Sequence, residues 1–107
     1  MSVIMTFRAK GDPKKLEEQA AANPEGMRDI AERAKQHGVI AHRFYGSDDG
    51  EIMVVDEWPD PQSFQAFFEE NRSEIEPMMR EVGVTSEPDV TFWRKLETHD
   101  DVGWGAD

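Results

Sequence analysis

Few side chains in this sequence can move a proton near neutral pH. There are three histidines, His37, His42 and His99, and no cysteine. Without cysteine there is no disulfide, thiolate zinc site, iron–sulfur cluster or Cys nucleophile. His42 stands out because it lies inside an alternating apolar run, in phase with Ile40 and Phe44. A histidine so placed faces a pocket or an interface, where it can serve as a general base or proton shuttle. The alternative is a structural histidine bonded to a carboxylate such as Asp56 or Glu57. Around it, Phe7, Phe44, Tyr45, Phe67 and Trp93 form an aromatic set that would suit a flat organic ligand, or else serve as core and subunit packing. Alternation alone leaves open which strand face meets the pocket.

Other chemistries find little support. Asp48, Asp49 and Glu51 lack the spacing of a calcium loop, and Asp49-Gly50 reads as a turn. His37 precedes a glycine helix stop, and His99 beside Asp100 and Asp101 reads as solvated surface, so no metal site is expected. There is no Ser-His-Asp motif, phosphate loop or GxGxxG, and no cofactor is expected. A net charge of -11 would repel a phosphate backbone or an anionic membrane. No apolar stretch approaches the roughly 20 residues of a membrane span, and Met1 to Lys10 lacks the apolar core of a signal peptide. A cytoplasmic location is the expectation.

The elements that must position these residues can be read along the chain. At 107 residues it is one domain. Ser2 to Lys10 alternates, with Val3, Met5, Phe7 and Ala9 on one face and Ile4, Thr6 and Arg8 on the other. Asp12-Pro13, Asn23-Pro24 and Asp60-Pro61 each pair an N-cap residue with proline at the first helical position. They predict helices near 13–22 and 24–37, and a third from 61. Met27, Ile30, Ala31 and Ala34 recur at helical spacing, and Gly38 ends that helix. Val39–Gly46 and Glu51–Trp58 form a hairpin across Ser47–Gly50. Phe64, Phe67 and Phe68 give the third helix its stripe. Pro77 predicts a break near Arg72–Ser73 and a second short helix carrying Ile75, Met78, Met79 and Val82. Val90–Leu96 is the last strand.

The order β-α-β-β-α-β predicts a ferredoxin-like α+β domain over 2–96, with helices on one face of an antiparallel sheet. Residues 97–107 form an acidic tail carrying Trp104. Both phases of the strands hold apolar residues, so the second sheet face needs a cover. A second copy of the chain, packed sheet to sheet with the tail reaching onto the partner, is the simplest one.

The segment Val54-Val55-Asp56-Glu57-Trp58-Pro59-Asp60-Pro61-Gln62-Ser63-Phe64-Gln65-Ala66-Phe67 resembles the hallmark of the antibiotic-biosynthesis-monooxygenase-like family, within the dimeric α/β-barrel superfamily. The pattern is an apolar strand, a Glu, a Trp, turn residues and a Phe-bearing helix. The resemblance implies a barrel of two subunits, each with a pocket between sheet and helices. Some members oxidise aromatic polyketides without a cofactor. Others degrade haem with an Asn, a Trp and a His, at positions that here match Phe7, Phe67 and the neighbourhood of Glu76, so haem chemistry is not expected. The implied function is a cofactor-independent monooxygenase-like enzyme for a small aromatic or polyketide-type compound. The alternative is a non-catalytic dimeric module that binds a small ligand or serves in stress.

Overall fold

The structure, a computed structural model, describes residues 1–103. Trp104, which the sequence places on a partner, lies outside the described residues. Each of the three cap-and-proline signals starts a helix. Asp12 Oδ1 accepts the Lys14 N–H at 2.9 Å, Asn23 Oδ1 that of Gly26 at 3.1 Å, and Asp60 Oδ1 that of Ser63 at 2.8 Å. The backbone hydrogen bond from Ser63 holds the Asp60 carboxyl below its ordinary pKa. These caps open α1 (Pro13–Ala22), α2 (Pro24–Gln36) and α3 (Pro61–Glu81).

The strands are β1 (Val3–Lys10), β2 (Ala41–Gly46), β3 (Glu51–Trp58) and β4 (Asp89–Trp93), arranged β2-β3-β1-β4 with every neighbour antiparallel. This is the expected ferredoxin-like sheet. Gly50, at φ +82°, closes the β2–β3 turn in a conformation few side chains adopt. Two strands are shorter than their patterns. Val39 turns back to bond the Ala34 carbonyl at 3.0 Å, so β2 begins only at Ala41. On the sheet's far side β4 pairs only with β1 and ends at Trp93, opposite Ile4, short of the expected Leu96.

The pleat sorts the side chains into two faces. Toward the helices, two cross-strand rows run His42–Asp56–Met5–Phe92 and Phe44–Val54–Phe7–Val90. The opposite face carries Ala41–Glu57–Ile4–Trp93, Arg43–Val55–Thr6–Thr91 and Tyr45–Met53–Arg8–Asp89. It is therefore mixed rather than uniformly oily: apolar side chains alternate with charged ones such as Arg8, which pairs with Glu51 at 3.0 Å.

The expected break near Arg72–Ser73 is absent, and α3 runs unbroken for 21 residues. Phe64, Phe67, Asn71, Ile75 and Met79 form one buried stripe along its whole length. Pro77 lies on the exposed side. Its missing N–H leaves only the Ser73 carbonyl without a helical donor, at a position where water can replace it. Burial of the continuous stripe outweighs that local loss. Pro77→Ala is expected to raise stability by about 1–3 kcal/mol, seen as a higher urea midpoint with unchanged slope. An unchanged or lowered midpoint would show that the proline costs the helix nothing.

Candidate functional site

The site is built on the β2–β3 hairpin. Asp56 sits on the helix-facing side of β3 with 5% of its surface exposed. Moving a lone carboxylate there would cost several kcal/mol. Two donors offset the cost. The fully buried Trp58, two residues on and so on the same face, donates its indole N–H to Asp56 Oδ2 at 3.0 Å. His42, directly opposite on β2, meets Oδ1 through Nδ1 at 2.6 Å, the carboxylate contact expected of a structural histidine. An ionised carboxylate only accepts, so Nδ1 is the donor. In a neutral imidazole so held, Nε2 is the accepting nitrogen. Among the described residues Nε2 has no hydrogen-bond partner. Phe44 packs edge-on against the imidazole, with ring centroids 5.1 Å apart.

His42 and Asp56 open onto a cavity of about 80 Å³ between the sheet, α2 and α3. The sheet supplies Met5, Phe7, Phe44 and Val54 as its floor. From α2 come Met27, Ile30, Ala31 and Ala34, and from α3 Phe64, Phe67, Phe68, Ile75, Met78 and Met79. Among the described residues, the two members of the dyad are the only polar side chains in this lining. Phe64 stacks on Phe68 at 5.7 Å, and Trp58 lies 5.6 Å from Phe67, so the aromatic wall is itself braced.

The helices over the cavity are tied together at one end. Arg33 of α2 donates to Asn71 at 2.9 Å and pairs with Glu74 at 2.7 Å. The hydrogen bond it donates to Glu74 pushes the guanidinium pKa above its ordinary value. His37, just after α2, meets Glu70 at 2.6 Å. Buried Asn71 returns its amide N–H to the Phe67 carbonyl at 3.0 Å. A wider groove, of about 560 Å³, lies between α3 and residues 84–90. Its charged lining is Arg72, Glu76, Arg80 and Glu87, of which Arg72 and Glu76 pair with each other.

The structure brings together four of the six expected site residues: His42, Phe7, Phe44 and Phe67. Tyr45 and Trp93 do not join them. Tyr45 follows Phe44 in the same strand and must point the other way, and Trp93 pairs with outward-facing Ile4. Charge carried the missing signal. The outward phase holds Arg8, Arg43, Glu51, Glu57 and Asp89, whereas on the inward phase of the four strands Asp56 is the one Asp, Glu, Lys or Arg. The share of the wall contributed by α2 and α3 had its trace in the helical stripes, but not its role. Among the described residues, no group of three or more His, Cys, Asp or Glu could hold a metal ion.

No family model matches the chain, and no curated protein matches it. Solved structures do. An antibiotic biosynthesis monooxygenase superposes with a TM-score of 0.60 at 15% identity, over 90% of this chain and 99% of that one. A monooxygenase from the gene ActVA-Orf6 of Streptomyces coelicolor, in complex with the ligand nanaomycin D, gives 0.58 at 18% identity, over 89% and 86%. A dimeric ferredoxin-like protein from an uncultured marine organism gives 0.61 at 15% identity, over 89% and 88%. The chain has their fold. The resemblance carried by the Val54–Phe67 segment thus extends to the whole arrangement of helices and strands.

The burial of Asp56 has a measurable consequence. Asp56→Ala strands the Trp58 indole N–H in a fully buried position and frees the His42 ring. It is expected to lower stability by about 2–4 kcal/mol, against about 1–2 kcal/mol for Trp58→Phe, which keeps the ring. Urea unfolding of both variants checks the order, and equal losses would show that the carboxylate holds nothing beyond the indole.

Proposed function

We propose that the chain is a cofactor-independent oxygenase of the antibiotic biosynthesis monooxygenase type, acting on a small aromatic or polyketide-type compound, with His42 as general base. The observation that carries this reading is an oriented imidazole at the wall of an otherwise apolar cavity. Asp56 holds Nδ1, and Nε2 remains for the ligand. An apolar lining with one basic nitrogen suits a ligand that is mostly hydrocarbon and bears one acidic O–H or C–H. Removal of that proton gives a delocalised anion, the electron-rich partner that dioxygen requires. For an activated methylene the balance is CH2 + O2 → C=O + H2O: carbon is oxidised, one oxygen atom enters as the carbonyl and the other leaves as water. The fold shared with named monooxygenases, one of them holding nanaomycin D, supports the same reading.

A homodimer through the outward sheet face belongs to the proposal. That face presents Ile4, Tyr45 and Trp93 at 36%, 42% and 53% exposure, and a protein of the same fold is a dimer. The Trp93 indole N–H is satisfied by Thr6 Oγ1 at 2.8 Å, which leaves the ring as apolar area for a partner. In this arrangement the segment after β4 reaches the second subunit.

With a panel of phenols bearing an activated methylene, oxygen uptake by the protein is expected to fall about 10²–10⁴-fold in His42→Ala. Asp56→Asn, which disturbs the tautomer but keeps the shape, should fall by a smaller factor. Unchanged turnover in His42→Ala would remove the base from the mechanism. Separately, light scattering is expected to show Trp93→Glu as a monomer at concentrations where the parent chain is a dimer. A parent chain that is already monomeric at those concentrations would refute the sheet-face interface.

A further inference from the structure

The cavity is smaller than the ligands its chemistry suits. An apolar cavity of roughly 150 Å³ accommodates one benzene ring, and this one measures about 80 Å³. A ligand of two or more rings therefore either projects from the cavity or requires a wall to move, and the composition of the wall shows which part can. Four of the chain's six methionines line the cavity. Met5 and Met79 are buried at 1% and 5% exposure and belong to the packed core. Met27 and Met78 are half-buried, and they project from α2 and α3. Methionine is unbranched with three rotatable bonds, so it adjusts to a new shape where Phe, Val or Ile cannot.

The backbone behind Met27 is also lightly held. Every polar link from the α2 region to α3 leaves from Arg33 or His37, at the C-terminal end. Among the described residues, no hydrogen bond or ion pair ties residues 24–31 to α3 or to the sheet. At the other end the helix starts afresh at Asn23-Pro24, where the continuity with α1 is broken. Of the α2 residues only Ala34, beside the anchored end, is buried.

We propose that Met27 and Met78 form an adjustable wall that sets ligand size. On ligand entry the two thioether side chains change rotamer and the Met27 end of α2 moves outward about its anchored end, so that two fused rings fit beside His42. The inference rests on the ligand site proposed above and adds the residues that decide which ligands enter it.

The test replaces flexibility without replacing volume. Phenol and 1-naphthol serve as one-ring and two-ring probes, with binding measured by calorimetry and the His42 ring signals followed by NMR. The parent protein is expected to bind 1-naphthol at least about tenfold more tightly than phenol, about 1.4 kcal/mol. Met27→Ile with Met78→Ile keeps similar volume but stiffens the wall at Cβ. It should weaken 1-naphthol about tenfold or more relative to phenol. Met27→Ala with Met78→Ala should bind 1-naphthol at least as well as the parent. Circular dichroism confirms folding, and the single Met27→Ile variant carries the same expectation should the double variant unfold. If the stiffened protein binds both probes as the parent does, or if 1-naphthol binds the parent no better than phenol while both shift His42, the adjustable wall is wrong and the ligand site stands. If neither probe binds or shifts His42, the ligand site itself falls and the wall with it.

Discussion

A buried carboxylate that cannot be left alone organises this protein. Asp56 lies inside the core, where an unpaired charge would consume a large part of the stability of a domain this size. Its two donors come from places that only one strand register provides. Trp58 shares its face because it is two residues along β3, and His42 because it stands opposite on β2. A slip of one residue between β2 and β3 would carry His42 to the outward face and leave Asp56 with one donor. The register is set at the turn, where Ser47 N–H bonds the Glu51 carbonyl at 2.9 Å, Ser47 Oγ receives the Glu51 N–H at 3.1 Å, and Gly50 supplies the positive φ. The chemistry of the cavity therefore depends on a short polar turn at the opposite end of the hairpin.

This explains which features were legible in the sequence. Caps, prolines and the Asp-Gly turn act locally, so Asp12, Asn23, Asp60 and Gly50 announced their roles within four or five residues. The order of elements followed, and with it the sheet. The pairing of His42 with a neighbouring carboxylate was legible as a choice between Asp56 and Glu57, because those two alternate across β3. Choosing between them required the inward phase, which is a property of the whole sheet. The sequence alone draws Tyr45 and Trp93 into the pocket for the same reason: each strand taken singly offers apolar residues on both sides. Only the summed charge of four strands separates the faces. Pro77 misled in the opposite sense. A local rule predicted a break, and a stripe of buried residues running from Phe64 to Met79 overrode it.

The two faces of the sheet put the same alternation to different uses. Inward, apolar side chains meet helices and close a core. Outward, each apolar residue has charged neighbours, as Val55 has beside Arg43 and Met53 beside Arg8. Such a surface tolerates water better than a continuous oily one and still offers area to a partner, which is the character of an interface formed between folded subunits rather than of a core cut in half. A satisfied Trp93 N–H fits that character, since the indole can be covered without stranding a donor.

The core and the cavity are made from largely the same residues. Met5, Phe7, Val54, Phe64, Phe67, Ile75 and Met79 belong to both. A void lined by them carries a stability cost that grows with its volume. Packing alone would favour closing it with one larger side chain or a shift of α2. The dyad resists closure, because an apolar side chain driven against His42 would cover Nε2 with nothing to bond it. A ligand with an acidic group resolves both problems together: its rings restore the missing contacts and its polar end meets the imidazole. Under the proposed function, the residues that line this space are also those that would contact a bound aromatic.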